Sequence, residues 1–197
     1  FKKFKKSVKK LLNTNSVVTL THNLPISIVT YSTEKYGLIL NSKRLIMKKI
    51  LLLSDTHSHM DAHILEYVSQ VDEVWHAGDI GDFTVTDALQ RTKPLRAVYG
   101  NIDGTEIRTE FAEELFFECE QVSVYMRHIG GRPSRYAKGV SEVLFQKKPK
   151  LFVCGHSHIL KVQFDKKHQT LYLNPGAVGK KGFHKIRTML SFTLDQG

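Results

Sequence analysis

The sequence predicts an α/β protein in which two β-sheets pack face to face with helices outside, a four-layer α/β/β/α sandwich over residues 47–197. Three observations carry this reading. Short apolar runs alternate with helical stretches between Met47 and Tyr99, the βαβαβ pattern of parallel strands covered by helices. Beyond Tyr99, pairs of apolar runs separated by turn residues dominate, which adds hairpins and a second sheet. Residues 1–46 show no lasting hydrophobic period, so the fold is expected to begin at Met47. A chain of 197 residues that is 41% hydrophobic is long enough for one full core.

The elements follow in order. Met-Lys-Lys-Ile-Leu-Leu-Leu-Ser runs into a buried strand over Ile50 to Ser54, continuous in its apolar residues as parallel strands are. A helix is expected over Asp61 to Gln70, a strand over Glu73 to His76, a helix over Thr84 to Arg91 and a strand over Leu95 to Tyr99. Glu114 to Cys119 and Val122 to Arg127 form a hairpin around Glu120-Gln121. Ser134 to Gln146 reads as a helix stopped by Lys147-Lys148-Pro149, because the residue before proline resists helix. Leu151 to Cys154 is a short buried strand, Leu160 to Phe164 and Thr170 to Leu173 a second hairpin, and Met189 to Leu194 the last strand.

Charge separates the leader from this body. Residues 1–46 hold nine Lys or Arg against one acid, Glu34, whereas residues 47–197 hold twenty against eighteen. The net charge of +10 therefore sits almost wholly in the leader. Nucleic-acid binding is not expected, since a phosphate-backbone footprint belongs on the folded domain. Residues 1–46 read as a basic leader, disordered or upstream sequence foreign to the natural protein. A membrane-surface segment is the alternative, but no clean amphipathic helix follows the lysines. The body is expected to be cut short at its C-terminus. No run reaches the ~18–20 apolar residues that span a bilayer, and no membrane partner is expected. Two cysteines, Cys119 and Cys154, are too few for a disulfide framework and point to a reducing compartment, the cytoplasm.

Five motifs fall where strands end, the usual place for sites in open α/β sheets. They are Asp55-Thr56-His57, Gly78-Asp79, Gly100-Asn101-Ile102-Asp103, His128 with Gly130-Gly131, and Gly155-His156-Ser157-His158. In an extended segment alternate side chains share a face, so Asp55 and His57 are expected to grip one ion together. His156 and His158 repeat that spacing, or splay near the turn toward two neighbouring ions. Mixed carboxylate, amide and imidazole donors suit manganese, iron, zinc and similar ions, and suit calcium or magnesium poorly.

The ordered set DxH, GD, GNxD, H and GHxH resembles the calcineurin-like binuclear metallophosphoesterase superfamily. The resemblance runs from Ile50 to the end of the chain. With Asn174-Pro175-Gly176 and the short length, it is similar to the small prokaryotic phosphodiesterase branch that includes a eukaryotic retromer scaffold subunit. The resemblance implies a metallophosphoesterase-like sandwich that hydrolyses phosphate esters, phosphodiesters foremost. The nucleophile it implies is a hydroxide bridging two divalent ions. It assigns Asp55, His57, Asp79 and His158 to one ion and Asp79, Asn101, His128 and His156 to the other, with Asp79 bridging. Asp79, Asn101 and His128 are the residues expected to act in catalysis. Manganese is the first choice of metal, with iron, zinc, nickel or cobalt as alternatives. A small phosphate ester is the expected partner, and an oligomer stays open. The competing class is a non-catalytic protein-binding scaffold of the same fold, which has no need to keep all four histidines. Here all four are present.

One position departs from the family. Where many members carry a histidine that protonates the leaving group, this chain has Ile102, which can neither give nor take a proton. His59 could replace it or be a solvated loop histidine. Asp103 reads as a partner that orients a ligand. His76 is expected to be a hydrogen-bonded structural residue, and Cys154 and Trp75 to pack in the core. Arg132, Arg135, His184 and Arg187 are basic side chains that could meet a phosphoryl group.

Overall fold

The computed structural model describes residues 47–194 and the backbone of two strands before them, β1 (Val18–Thr21) and β2 (Ser27–Ile28). Both strands fall within residues 1–46, ahead of the expected start at Met47, and β1 joins the first sheet through β13; the rest of the predicted leader lies outside the described residues.

The βαβαβ opening is present as read. Strand β3 (Lys48–Leu53) is followed by helix α1 (Ala62–Ser69), β4 (Glu73–His76), α2 (Phe83–Gln90) and β5 (Leu95–Ala97), with β3, β4 and β5 paired in parallel. Both of these helices start at an aspartate that caps them. Asp61 Oδ1 accepts from the Ile64 N–H (3.0 Å) and Asp82 Oδ1 from the Thr84 N–H (3.0 Å), satisfying donors that have no intrahelical partner. The last strand, β13 (Leu190–Leu194), returns antiparallel to β3, and β1 pairs parallel with β13, giving the order β2-β1-β13-β3-β4-β5.

The second sheet has the order β11-β12-β10-β7-β6. Its hairpin of β6 (Glu114–Cys119) and β7 (Val122–Arg127) turns on Glu120 and Gln121, both at positive φ (47° and 62°), as a two-residue hairpin turn requires. Strand β10 (Leu151–Val153) runs parallel to β7 and to β12 (Thr170–Pro175), which pairs with β11 (Leu160–Asp165).

Between β7 and β10 the structure corrects the sequence reading. Helix α4 covers Val140–Lys147, not Ser134 onward. Pro133 and Ser134 instead turn a small hairpin between β8 (Gly131–Arg132) and β9 (Arg135–Tyr136), and Gly139 sits at φ +81°, outside helical space. A short helix, α3 (Thr105–Glu110), was also not predicted: its cap is Gly104, without a side-chain bond, and Ile107 is its one buried residue.

Three apolar interfaces separate four layers. Ile50, Leu52, Trp75, Val124, Met126, Leu151, Val153 and Phe192 meet between the sheets, where Trp75 is fully buried edge-on to Phe117 and Phe192. The alternate residues Leu51, Leu53 and Val74 face Ile64, Val68, Val85, Leu89 and Ile107 of α1, α2 and α3. On the far side Tyr125, Phe152, Cys154 and Tyr172 pack under Val140 and Leu144 of α4. A polar chain, Ser141 to His168 (3.0 Å), His168 to Asp165 (2.7 Å) and Tyr136 to Asp165 (2.6 Å), staples α4 to the turn between β11 and β12.

Candidate metal centre

Asp55, Asp79, Asn101, His128 and the pair His156 and His158 follow β3, β4, β5, β7 and β10. Those strands are parallel within each sheet, so their carboxyl ends open on one edge of the sandwich. Bonds between loops hold the edge together. The N–H groups of Asp55, His57 and Ser58 donate to the carbonyls of Gly78 (3.0 Å), Asp79 (3.0 Å) and Ile80 (2.8 Å). The His156 N–H reaches across to Asp55 Oδ2 (3.2 Å), tying one sheet to the other.

Two groups of donors result. Asp55, His57 and His158 place one ligand atom each within 4.8 Å of one another, and so do Asp79, His128 and His156. The two histidines of the GHxH turn thus point to different groups, the splayed alternative. The route by which Asp55 and His57 converge differs from expectation. Neither is extended: φ is 56° at Asp55 and 47° at His57, and Asp79 (56°), His156 (67°) and His158 (55°) share that left-handed region. Tight turns, not strand alternation, aim these side chains.

Close approach explains two glycines. Gly78 lies at φ +93°, and a Cβ there would stand 2.6 Å from the His128 ring. A Cβ on Gly100 would overlap the Asp79 carboxylate.

The electrostatics fit a cation. Asp55 is wholly buried, and burial raises its pKa above the usual carboxylate range. Its Oδ1 makes no hydrogen bond, although His158 Nε2 lies 3.1 Å away and His128 Nε2 3.9 Å. The buried Nε2 atoms of His57 and His128 are equally unpartnered. Such orphaned polar atoms are costly unless something binds them. Asp79 of the second group also approaches the first, with Oδ1 3.1 Å from His128 Nε2 and Oδ2 3.8 Å from His57 Nε2. The His128–Asp79 contact is short but outside hydrogen-bond geometry. Burial holds His57, His156 and His158 below the ordinary histidine pKa, favouring the neutral form that binds metal. At His128 burial acts the same way, but the Asp79 and Asp55 carboxylates outweigh it and raise the pKa. Its Nδ1 donates to the Ala77 carbonyl (2.7 Å), so in the neutral ring Nε2 faces the site as a lone pair.

Asn101 is exposed, and its backbone carbonyl accepts from Arg108 (3.2 Å). The next N–H, of Ile102, donates to Asp79 Oδ1 (3.1 Å), which sets this loop beside the second group. The Ile102 side chain is 46% exposed. Among the described residues, Asp103 makes no hydrogen bond or ion pair to an imidazole. Its carboxylate accepts from the N–H groups of Ile80 (3.1 Å), Gly81 (2.7 Å) and Gly100 (2.7 Å), so it orients the backbone that carries Asp79.

His59 Nε2 is bound to Asp61 (3.0 Å), and that carboxylate also accepts from Arg187 (2.8 Å), so neither His59 nor Arg187 is a free group. His76 is structural as read. Its Nε2–H donates to Thr56 Oγ1 (2.8 Å), which donates on to the Ile80 carbonyl (2.9 Å), and burial lowers its pKa to about 3. Burial pushes Cys154 up to about 12, in keeping with a packing role. Arg132 and Arg135 are exposed on the small hairpin. Sequence reasoning missed two supports. Asn174 braces the GHxH turn through Gly155 O (2.7 Å) and Ser157 Oγ (3.2 Å), and His184 contacts His158. Both are long-range contacts that no local spacing announces.

A two-sheet sandwich with clustered Asp and His at its strand ends is an arrangement that suits metal-dependent phosphoesterases. The family profile of the calcineurin-like phosphoesterase superfamily domain matches residues 47–197, and the chain belongs to that superfamily. The family implies divalent metal ions, and the two donor groups could hold them.

Solved structures share the fold. Vacuolar protein sorting 29 from Cryptosporidium parvum aligns with a TM-score of 0.60 at 18% identity, covering 76% of this chain and 86% of its own. A predicted phosphoesterase from Streptococcus pneumoniae gives 0.58 at 22% identity, covering 77% and 85%. An archaeal phosphodiesterase gives 0.52 at 22% identity, covering 66% and 84%. No curated protein matches the sequence significantly. Among the described residues, no helix is long and apolar enough to cross a membrane.

Proposed function

We propose that residues 47–197 hydrolyse phosphodiesters with the help of two divalent transition-metal ions, manganese foremost. Asp55, His57, Asp79 and His158 would hold one ion, and Asp79, Asn101, His128 and His156 the other. The observation that carries this reading is the pair of adjoining donor groups, Asp55, His57 and His158 beside Asp79, His128 and His156, with three inward atoms, Asp55 Oδ1, His57 Nε2 and His128 Nε2, that lack any hydrogen-bond partner. When bound, paired ions lower the pKa of water and neutralise charge on the phosphoryl oxygens.

The protein's own part is positioning. Asp79 presents one oxygen toward each group, which suits it to share its charge between two cations. The Ala77 carbonyl keeps the His128 proton on Nδ1 and so aims a lone pair inward. Asn101 would add a neutral oxygen, limiting the negative charge of the set. The archaeal phosphodiesterase of the same fold supports the diester reading.

The test is turnover of bis(nitrophenyl) phosphate with metal content measured on the same samples. Activity should need added manganese and vanish on chelation. Asp79→Asn should lose both ions together, and unchanged metal content in that variant would refute the shared carboxylate. A second reading, a non-catalytic scaffold, is favoured by the likeness to vacuolar protein sorting 29. It predicts a protein without turnover even when fully metal-loaded.

A further inference from the structure

The loop after β12 returns to the site. It is pinned by Val178 N–H to Ser54 O (3.1 Å), Gly179 N–H to Asp55 O (3.0 Å) and Thr188 N–H to Ala177 O (2.9 Å). Arg187 ties it further, donating from Nε to Val178 O (2.7 Å) and from Nη1 to Asp61 Oδ2 (2.8 Å). Within this pinned loop stands His184, half-buried, its ring edge-on to His158 at a centroid distance of 5.1 Å. The backbone of Gly182 closes over the pair, since a Cβ there would press into the His158 ring.

With both rings neutral, as a metal-ligating histidine requires, the hydrogen-bond chain through His184 has one consistent reading. His184 Nε2 lies 2.9 Å from the Gly179 carbonyl, which can only accept, so Nε2 carries a proton. In the neutral ring Nδ1 is then an acceptor. It lies 3.2 Å from His158 Nδ1, which must donate. His158 Nε2 is left as a lone pair, and it faces Asp55 Oδ1 at 3.1 Å. Because the Gly179 N–H in turn donates to the Asp55 carbonyl, the chain closes on the residue whose carboxylate it serves.

We infer that His184 is a positioning residue: it fixes the tautomer and ring orientation of His158 so that Nε2 is presented to the ion of the Asp55 group. The inference rests on the metal-binding reading above and adds a residue outside its donor set. A ligating histidine almost always donates its other N–H to a carboxylate, carbonyl or water, and loss of that partner typically costs ~10–100-fold in metal affinity. Here the acceptor is a second imidazole, itself oriented by a backbone carbonyl.

Three variants of the full chain separate hydrogen bonding from packing. His184→Phe keeps a ring but has no acceptor, His184→Ala has neither, and His184→Asn restores an acceptor near the Nδ1 position. The probe is manganese alone, titrated calorimetrically with folding checked by near-ultraviolet circular dichroism. Wild type should bind two ions. The Phe and Ala variants should weaken one of them by ~10–100-fold and spare the other, and the Asn variant should recover most of that loss. In the zinc-loaded wild type, long-range proton–nitrogen NMR should show His158 protonated at Nδ1. Wild-type affinity in His184→Phe, equal weakening in all three variants, or a proton on His158 Nε2 would each overturn the inference while leaving the metal reading intact. A wild type that binds no manganese would overturn both.

Discussion

Replacing Asp103 tests how the site is held without touching any expected metal donor. Its buried carboxylate accepts from three backbone N–H groups in two loops: Oδ2 from Ile80 and Gly100, and Oδ1 from Gly81. One loop carries Asp79 and the other Asn101. In Asp103→Asn the amide has one acceptor oxygen. Its best orientation keeps that oxygen at the Oδ2 place, which serves two N–H groups, and turns the NH₂ toward the Gly81 N–H. One charge-assisted bond, worth about 1.5–3 kcal/mol, becomes a donor facing a donor, and the other two fall from a charged to a neutral acceptor. The expected loss is about 2–4 kcal/mol, a large share of the ~5–15 kcal/mol that holds a domain of this size. Asp103→Ala should cost at least as much, because three N–H groups then lack a partner. The assay is urea unfolding in chelator, so that metal binding does not enter the comparison, followed by manganese titration of the folded variants. Manganese affinity should fall as the Asp79 loop relaxes. A loss under ~0.5 kcal/mol in Asp103→Asn would mean that these N–H groups find water or other partners, and the knot would be refuted.

Three further outcomes are expected. With Ile102 at the usual acid position and His59 bound to Asp61, rates on a series of aryl and alkyl phosphodiesters should depend steeply on leaving-group pKa, since general-acid help is typically worth ~10²–10⁴-fold. Ile102→His should flatten that slope, and a shallow slope in the wild type would show that another group already supplies the proton. Glu73 is buried, which by itself would raise its pKa, but bonds from Lys48 (2.5 Å), Trp75 (2.8 Å) and Arg96 (2.5 Å) outweigh burial and hold it below the usual range. Its contribution is therefore present above the unfolded pKa of about 4.3 and lost as pH falls through the folded value. Glu73→Gln should lower stability at pH 7 and leave a shallower acid limb in unfolding midpoints from pH 7 to 2. Removal of residues 1–46 takes β1 and β2 from the edge of the first sheet but removes no expected donor, since all of them lie beyond Met47, so metal content and turnover should be unchanged; loss of either would assign these strands to the working unit.

What the sequence made legible was local. The continuous apolar run Ile50 to Leu53, buried on both faces, and the alternation of β3 to β5 with helices needed nothing beyond period and propensity. Glu120-Gln121 marked its hairpin, whereas α3 escaped because one apolar residue in six leaves no helical stripe. The overlong helix from Ser134 came from reading through Ser134 and Gly139, both at positive φ, whose backbone preferences outrank the apolar spacing around them. At the site, the order of motifs marked the strand ends that meet. The partners that orient the donors, Asp103 on two loops, Asn174 under the GHxH turn and His184 behind His158, became visible only when distant segments were folded together.

The same distinction explains the backbone of the donors. Asp55, His57, Asp79, His156 and His158 all occupy left-handed φ, a region that costs a residue with a Cβ on the order of 1–2 kcal/mol. Five such positions cannot be sustained by local preference, so the surrounding bonds must offset them. They are the bonds that join loops to each other: Asp55 and His57 to the Gly78-Asp79 backbone, His156 to Asp55, Asp103 across both acidic loops, and Thr56 with His76 beneath them. None of these requires an ion. The turns that aim the two donor groups are therefore set by the protein's own buried polar network, and metal would enter a site already oriented.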